Sequence, residues 1–409
     1  LSLLKPVATN KSPLPACQYI LVGGGQAMAN NLEVAVALEV PEAEGPALCF
    51  PRAALDFLER VPGSSLASIE MVDGNVKISV GGQRATFNAP SAEDFPPFPS
   101  VEAEHDTVMD GDALVRALRA VAPFTTTEKS RLVLTAVCLT LGDTPRVAAA
   151  DGFRLGWEDL PGKLPGEGNL LIPHGAISPL AHFWKAAGGG VAPPEASDLS
   201  SLALVKRFIR LGWKGLLLRL NFGDVAMVVQ LVEGTYPNYN HLFTREFRSH
   251  ATFLVEDLYR SLGAISTLAR DNSGIIRLEW AERHLKVTAR GEKGESGEME
   301  ISATCEGPGR IAFNIGYLSD YLAQKQGMVK LSTYAESGPA LFTYHGRANH
   351  NLMPMHVQWD TPSPYPPEPP KEPSEESGPI SDPVFSEETS AEDIEADLAP
   401  PSAEADNPV

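Results

Sequence analysis

The chain has 409 residues, 43% of them hydrophobic and 21% charged, which excludes a single small module and wholesale disorder and implies several domains of ordinary size. It contains no run of about 18 uncharged apolar residues. Residues 1–10 lack the apolar core and cleavage site of a signal peptide, so a soluble, cytoplasmic protein without a membrane partner is expected. The net charge of −19 is uneven: residues 361–409 hold 13 acids and one Lys, leaving −7 for residues 1–360, a balance that does not suit a strongly basic phosphate-gripping protein. Because residue 1 is Leu, a trimmed chain or fragment is expected.

In chain order, the opening residues predict no convincing helix, only a short apolar stretch before a turn at 10–13. Gly23-Gly24-Gly25 leads into the alternating residues 31–38, which reads as a hairpin turn and not a phosphate-binding loop, since no helix follows. A helix is predicted over 52–61, then strands over 68–72 and 76–80 across an Asp73-Gly74 turn. Residues 110–121 place Leu114, Val115, Leu118 and Val121 on one helical face and Arg116 and Arg119 on another, with Asp110 or Asp112 as cap. Strands follow over 132–141 and 147–150, a helix from Pro173 to 187, and strands over 215–221 and 225–232. The third stretch repeats the order: a helix over 255–270, strands over 275–280 and 284–288, a helix over 317–324, and strands over 329–334 and 340–344. Pro51, Pro173 and Asn314 open equivalent segments 122 and 141 residues apart, so three related domains are predicted. Their bounds are 1–104 (with a truncated or divergent first half), 105–247 and 248–360. The expected fold class is α+β, each domain two helices packed on antiparallel sheets. Residues 361–409, with twelve prolines and few large apolar side chains, are expected to form a disordered acidic tail.

Catalytic marks are missing: the sequence has no Walker lysine motif and no Gly-x-Ser-x-Gly elbow. His345, His350 and His356 are spaced for neither a helical nor a strand ligand set, so no metal and no cofactor are expected. Cys17, Cys49, Cys138 and Cys305 stand apart inside apolar runs, as buried reduced thiols would.

Five short motifs carry a resemblance. Val147-Ala148-Ala149-Ala150-Asp151-Gly152-Phe153-Arg154-Leu155 resembles the Ala-Thr-Asp-Gly-His-Arg-Leu signature of the bacterial DNA polymerase III β sliding clamps. Ala92-Glu93-Asp94-Phe95-Pro96, Gly234-Thr235-Tyr236-Pro237-Asn238-Tyr239, Phe313-Asn314-Ile315-Gly316-Tyr317-Leu318 and Leu352-Met353-Pro354-Met355 are similar to further motifs of that family, all in its order, over roughly residues 3–357. The chain departs from the family at Phe153 in place of His, Ala150 in place of Thr, His356 in place of Arg and Val357 in place of Leu, and it runs on past the family's usual end.

The resemblance implies a non-catalytic processivity subunit: a head-to-tail homodimeric ring that encircles double-stranded DNA and tethers the DNA polymerase III catalytic subunit, the clamp loader and other clamp-motif replication and repair proteins. It implies a partner-peptide groove at Leu134, Gly152, Phe153, Arg154, Leu155, Pro237, Leu242, Leu352, Met353, Pro354 and Met355. Candidate DNA contacts are Lys11, Arg52, Arg116, Arg119, Lys129, Arg131, Lys185 and Arg260. The apolar stripe Leu258, Leu262, Ile265 and Leu268 is the candidate dimer interface. The alternative is a clamp-derived β-rich binding or structural protein that does not load on DNA.

Overall fold

A computed structural model describes residues 1–9, 14–61, 67–72, 74–187, 207–240, 246–271, 273–323, 325–344 and 348–365. Lys11, Leu242, His345 and the tail from residue 366 onward lie outside the described residues.

The first stretch holds β1 (Tyr19–Gly23), β2 (Gln26–Asn30), β3 (Val34–Glu39), β4 (Leu48–Pro51), α1 (Arg52–Arg60), β5 (Ser68–Val72), β6 (Asn75–Val80) and β7 (Gln83–Asn88). Gly24 and Gly25 turn the first hairpin at φ 61° and 77°, which suits glycine alone among ordinary residues. In place of an opening helix the chain has short 3-10 turns at Pro15–Gln18 and, at its start, Ser2–Leu4. Lys5 beyond it pairs with Asp56 and Glu59 of α1 at 2.7 and 2.6 Å.

The second stretch runs β8 (His105–Asp110), α2 (Gly111–Val121), β9 (Ala136–Gly142), β10 (Arg146–Ala150), β11 (Arg154–Asp159), β12 (Leu164–Pro173), α3 (His174–Ala186), β13 (Phe208–Lys214), β14 (Leu217–Phe222) and β15 (Val225–Gln230). The third repeats that order with β16 (Ser249–Leu254), α4 (Val255–Asp271), β17 (Ile275–Ala281), β18 (His284–Arg290), β19 (Ser296–Glu306), β20 (Gly309–Asn314), α5 (Ile315–Leu322), β21 (Met328–Thr333), β22 (Ala340–Tyr344) and β23 (Ala348–Leu352). Asp110 caps α2 by accepting the Ala113 N–H at 2.9 Å, as its sequence position predicts. Asn314 caps α5 in the same way, through the N–H groups of Gly316 and Tyr317.

Among the described residues all the strand pairs are antiparallel, and they form sheets of eight, twelve and three strands. The eight-stranded sheet runs β4-β1-β2-β3-β15-β14-β13-β8, so β3 of the first stretch joins β15 of the second. The twelve-stranded sheet runs β12-β9-β10-β11-β23-β22-β21-β16-β19-β18-β17-β20, so β11 of the second joins β23 of the third. Helix pairs α2–α3 and α4–α5 pack against each other. Their apolar faces, such as Leu114, Leu118, Leu180 and Phe183, merge with the inner sheet faces into one continuous core.

Two expectations change. Leu258, Leu262 and Ile265 of α4 are almost fully buried within this chain's own core, and Leu268 packs against it half-buried. The stripe therefore serves internal packing, since surface already removed from water has little left to bury against a second copy. The expected tail also starts too early at 361. Trp359 lies over the guanidinium of Arg310 at 4.6 Å, and Thr361 accepts from Arg310 Nη1 at 2.9 Å. The Tyr365 hydroxyl sits 2.8 Å from Thr333 Oγ1 and bonds the Arg310 backbone. This strap covers Arg310 on β20, a sheet edge, while Ile311 and Phe313 of the same strand belong to the core.

Candidate nucleic-acid face and partner groove

The α2–α3 pair and the end of α5 wall an open cleft of about 1460 Å³. Its cations are Arg116 and Arg119 from α2, Lys185 from α3, Arg207, and Lys325 just past α5. Two of these are balanced locally. Arg116 pairs at 2.8 Å with Glu158, whose side chain is only 4% exposed, and Arg207 pairs at 2.5 Å with Asp112 while stacking over Trp184 at 4.5 Å. Burial alone would raise the Asp112 carboxyl, but the hydrogen bonds from Arg207 and Trp184 outweigh it and hold it below its ordinary value. Arg119 and Lys185 are exposed and make no ion pair among the described residues. Lys325 is pushed down to about 8 by burial, its ammonium 4.2 Å from the Tyr321 ring centroid.

The remaining candidate DNA contacts lie apart from this cleft. Arg52 is exposed at the start of α1 and donates to the Lys5 and Ala8 carbonyls. Arg260 is exposed on α4 and pairs with Asp257 at 3.2 Å. Lys129 is exposed on the loop that precedes β9. Arg131 on the same loop is committed elsewhere: it bonds Glu128 at 2.7 Å and donates through Nη1 to the Asp151 carbonyl at 3.0 Å. It thus braces the turn that carries Phe153.

That turn belongs to the groove. Arg154 of β11 stands opposite Leu352 of β23, and the Met353 N–H donates to the Phe153 carbonyl at 2.8 Å. Residues 152–155 and 352–355 are thereby brought together across 200 residues of sequence, Met355 being fixed by its N–H to the Ala312 carbonyl. Phe153 is 54% exposed and Met353 43%, while Leu155 and Leu352 are buried beneath them. Phe153 stacks on Tyr317 of α5 at 6.1 Å. Leu134 is buried with Tyr236 in a small cluster that reaches Leu155 through Tyr239, and Pro237 is exposed beside it. Arg154 departs from the expected role of a peptide contact. Its side chain is 8% exposed, paired with Asp151 at 2.8 Å and Asp320 at 2.9 Å, and stacked over Tyr317 at 4.5 Å.

No family model matches the chain. A β sliding clamp of Synechococcus elongatus is 25% identical over 311 residues, 74% of this chain and 79% of that protein. One of Pseudomonas putida is 24% identical over 372 residues, 87% and 96% of the two chains. The crystal structure of a Pseudomonas aeruginosa sliding clamp bound to griselimycin superimposes with a TM-score of 0.76 at 21% identity, again over 87% and 96%. The chain is thus similar to β sliding clamps over most of its length, at 24 to 25% identity. It has the α+β clamp fold, and the family is non-catalytic.

The joint between β11 and β23 also holds His350, which the sequence suggests only as a rejected metal ligand. His350 of β23 is fully buried, opposite Gly156, with Phe124 stacked on it at 4.2 Å and Tyr321 at 4.6 Å. Gly156 is required there, since a Cβ would lie 2.2 Å from Phe124 Cδ2. Neither imidazole nitrogen of His350 has a hydrogen-bond partner among the described residues. Burial, then the charges of Lys325 and Arg154, push this imidazole well below 6.5, with the Leu155 backbone pulling weakly the other way. It is neutral in the folded clamp, whereas the unfolded chain takes up a proton near 6.5. The contribution of this residue to stability is therefore expected to be constant above about pH 6.5 and to fall as pH drops below it, because the unfolded state then binds the extra proton. Thermal melts from pH 8 to pH 5 check this, and His350→Phe should flatten the part of the acid limb that belongs to this residue.

Three thiols, Cys17, Cys49 and Cys138, are buried and Cys305 is half-buried, all free. Burial pushes Cys49 up to about 11 and Cys138 up to about 12, which keeps them unreactive. Among the described residues no His, Cys, Asp and Glu side chains group as a metal site, and no helix is long and apolar enough to cross a membrane.

Proposed function

We propose that this chain is a DNA sliding clamp: a cytoplasmic processivity factor that closes as a head-to-tail homodimer around duplex DNA and tethers the DNA polymerase III catalytic subunit, the clamp loader and other clamp-motif proteins. Domains at 1–104, 105–247 and 248–360 would give the closed ring six similar units. The observation that carries the reading is a pattern of strand edges. Each observed joint sets the third strand after a stretch's opening helix or turn (β3, β11) against the last strand of the next stretch (β15, β23). Two strands of the same kinds are left over. Among the described residues β7 pairs only with β6, and residues 296–302 of β19 pair only with β18. A second copy would join them as the other joints are made, β7 of one against β19 of its partner, and two such joints close a ring. Charge agrees: β19 exposes Glu298 and Glu300, and β7 exposes Arg84.

The helical cleft would face the duplex. Its few unpaired cations, Arg119 and Lys185, fit a protein retained by topology, which needs only weak, salt-sensitive phosphate contacts. The acidic total is then no obstacle. The groove of Phe153, Leu155 and Met353 would receive a short peptide with Leu and Phe anchors, two flexible methionines adjusting to different partners.

Light scattering across micromolar dilution tests the ring: a particle of twice 43.8 kDa is expected, and a persistent monomer contradicts it. Replacing Met353 and Met355 by Ala should weaken an anchor peptide by about 1 kcal/mol or more with dimerisation intact. Unchanged affinity in that folded variant would place the partner site elsewhere.

A further inference from the structure

Asp320 faces two ways. It lies on α5 with its side chain 54% exposed and lines the helical cleft, yet its Oδ2 accepts from Arg154 Nη1 at 2.9 Å. Arg154 donates through Nε to Asp151 Oδ2 at 2.8 Å, and Asp151 Oδ1 accepts the N–H groups of Phe153 and Arg154 at 2.9 and 3.0 Å. This relay sets the turn that presents Phe153 to the groove. The Arg154 guanidinium lies over Tyr317 at 4.5 Å and over Phe124 at 5.4 Å, with His350 stacked on Phe124. An arginine held by two rings has little room to swing, so a change in its hold on Asp320 reaches Asp151 without being absorbed on the way.

We propose that Asp320 is a positioning residue of the partner groove whose hold on Arg154 tightens when duplex fills the cleft, so that the DNA-bound clamp binds partner peptides more tightly than the free clamp. The proposal rests on the cleft as the duplex face and the groove as the peptide site. In the free protein the Asp320 carboxylate is half in water, where its pair with Arg154 is screened and competes with hydration. A duplex brings phosphates to the cleft cations, excludes water and adds negative potential on that side. Both effects leave Arg154 as the carboxylate's main counter-charge. The relay is then more fully formed, and the Phe153 turn is ordered before the peptide arrives, which lowers the ordering cost of binding. Linkage makes the effect reciprocal.

The test uses the full chain and a fluorescein-labelled peptide of zero net charge carrying Leu and Phe anchors, titrated with and without a saturating short duplex at one low ionic strength. On the order of fivefold tighter peptide binding is expected with duplex, and a saturating peptide should tighten duplex binding by the same factor. The gain should vanish in Asp320→Asn and return in part in Asp320→Glu. Equal peptide affinity with and without duplex overturns the proposal, as does a gain that survives in Asp320→Asn. A peptide that binds in neither condition overturns the groove reading itself and takes the proposal with it.

Discussion

Arg154→Ala is expected to destabilise the joint between β11 and β23 by about 3 kcal/mol. The substitution leaves Asp151, 10% exposed, as a largely desolvated carboxylate without its cation, and that uncompensated charge is the main cost. The stacking of Arg154 over Tyr317 and Phe124 is lost as well. The pair with Asp320 adds little on its own, because that carboxylate is half exposed and screened. Native-state hydrogen exchange at the Met353 amide, which bonds the Phe153 carbonyl, reads the joint directly. Its protection should fall by about two orders of magnitude. Arg154→Lys should recover only part of the loss, since an ammonium cannot serve Asp151 and Asp320 with the same planar fork. A change below about 1 kcal/mol in Arg154→Ala would mean that the buried pair is not what holds this joint.

Charge reversal on β19 is the second large effect. Glu300→Lys with Glu298→Lys sets like charges against Arg84 of the partner's β7 in the proposed ring, and the dimer should weaken by about 2 kcal/mol, roughly thirtyfold in Kd. Because Glu298 also pairs with Lys286 of its own chain at 2.7 Å, Glu300→Lys alone is the cleaner probe of the interface. Adding Arg84→Glu should restore the dimer, a rescue that general loss of stability would not produce. Analytical ultracentrifugation measures all three. Unaltered dimerisation in the double reversal would move the interface away from these edges.

The sequence exposes the regular elements and hides what joins them. The helix over 110–121 is legible because its apolar residues repeat at helical spacing behind an acidic cap, and α2 spans Gly111–Val121 as that pattern requires. The stripe on α4 is equally legible as buried, but periodicity states that a face is covered and not what covers it. Here the chain's own sheets and α5 already cover Leu258, Leu262 and Ile265. Asp320 carries no periodic signal, and it meets Arg154 across 166 residues, a contact that only tertiary pairing creates. His350 reads only as one of three histidines without ligand spacing, and its burial depends on Phe124 and Tyr321 arriving from other elements. The end of the strap, residues 361–365, is hidden by the Pro- and Glu-rich composition of residues 366–409, which averages away the aromatic anchor Tyr365. In the groove, the motif residues 152–155 and 352–355 are legible as separate segments. Their meeting is carried by the resemblance, and neither composition nor spacing supplies it.

The central claim is topological retention. The clamp would be loaded with a clamp loader onto nicked circular DNA, isolated by gel filtration in salt high enough to strip it from linear duplex, and then challenged by cutting the circle once. The account predicts that protein stays on the closed circle in that salt and leaves when the circle is cut, because weak phosphate contacts cannot hold it once an end is available. Equal loss from circular and linear DNA, or retention unchanged by cutting, would contradict it.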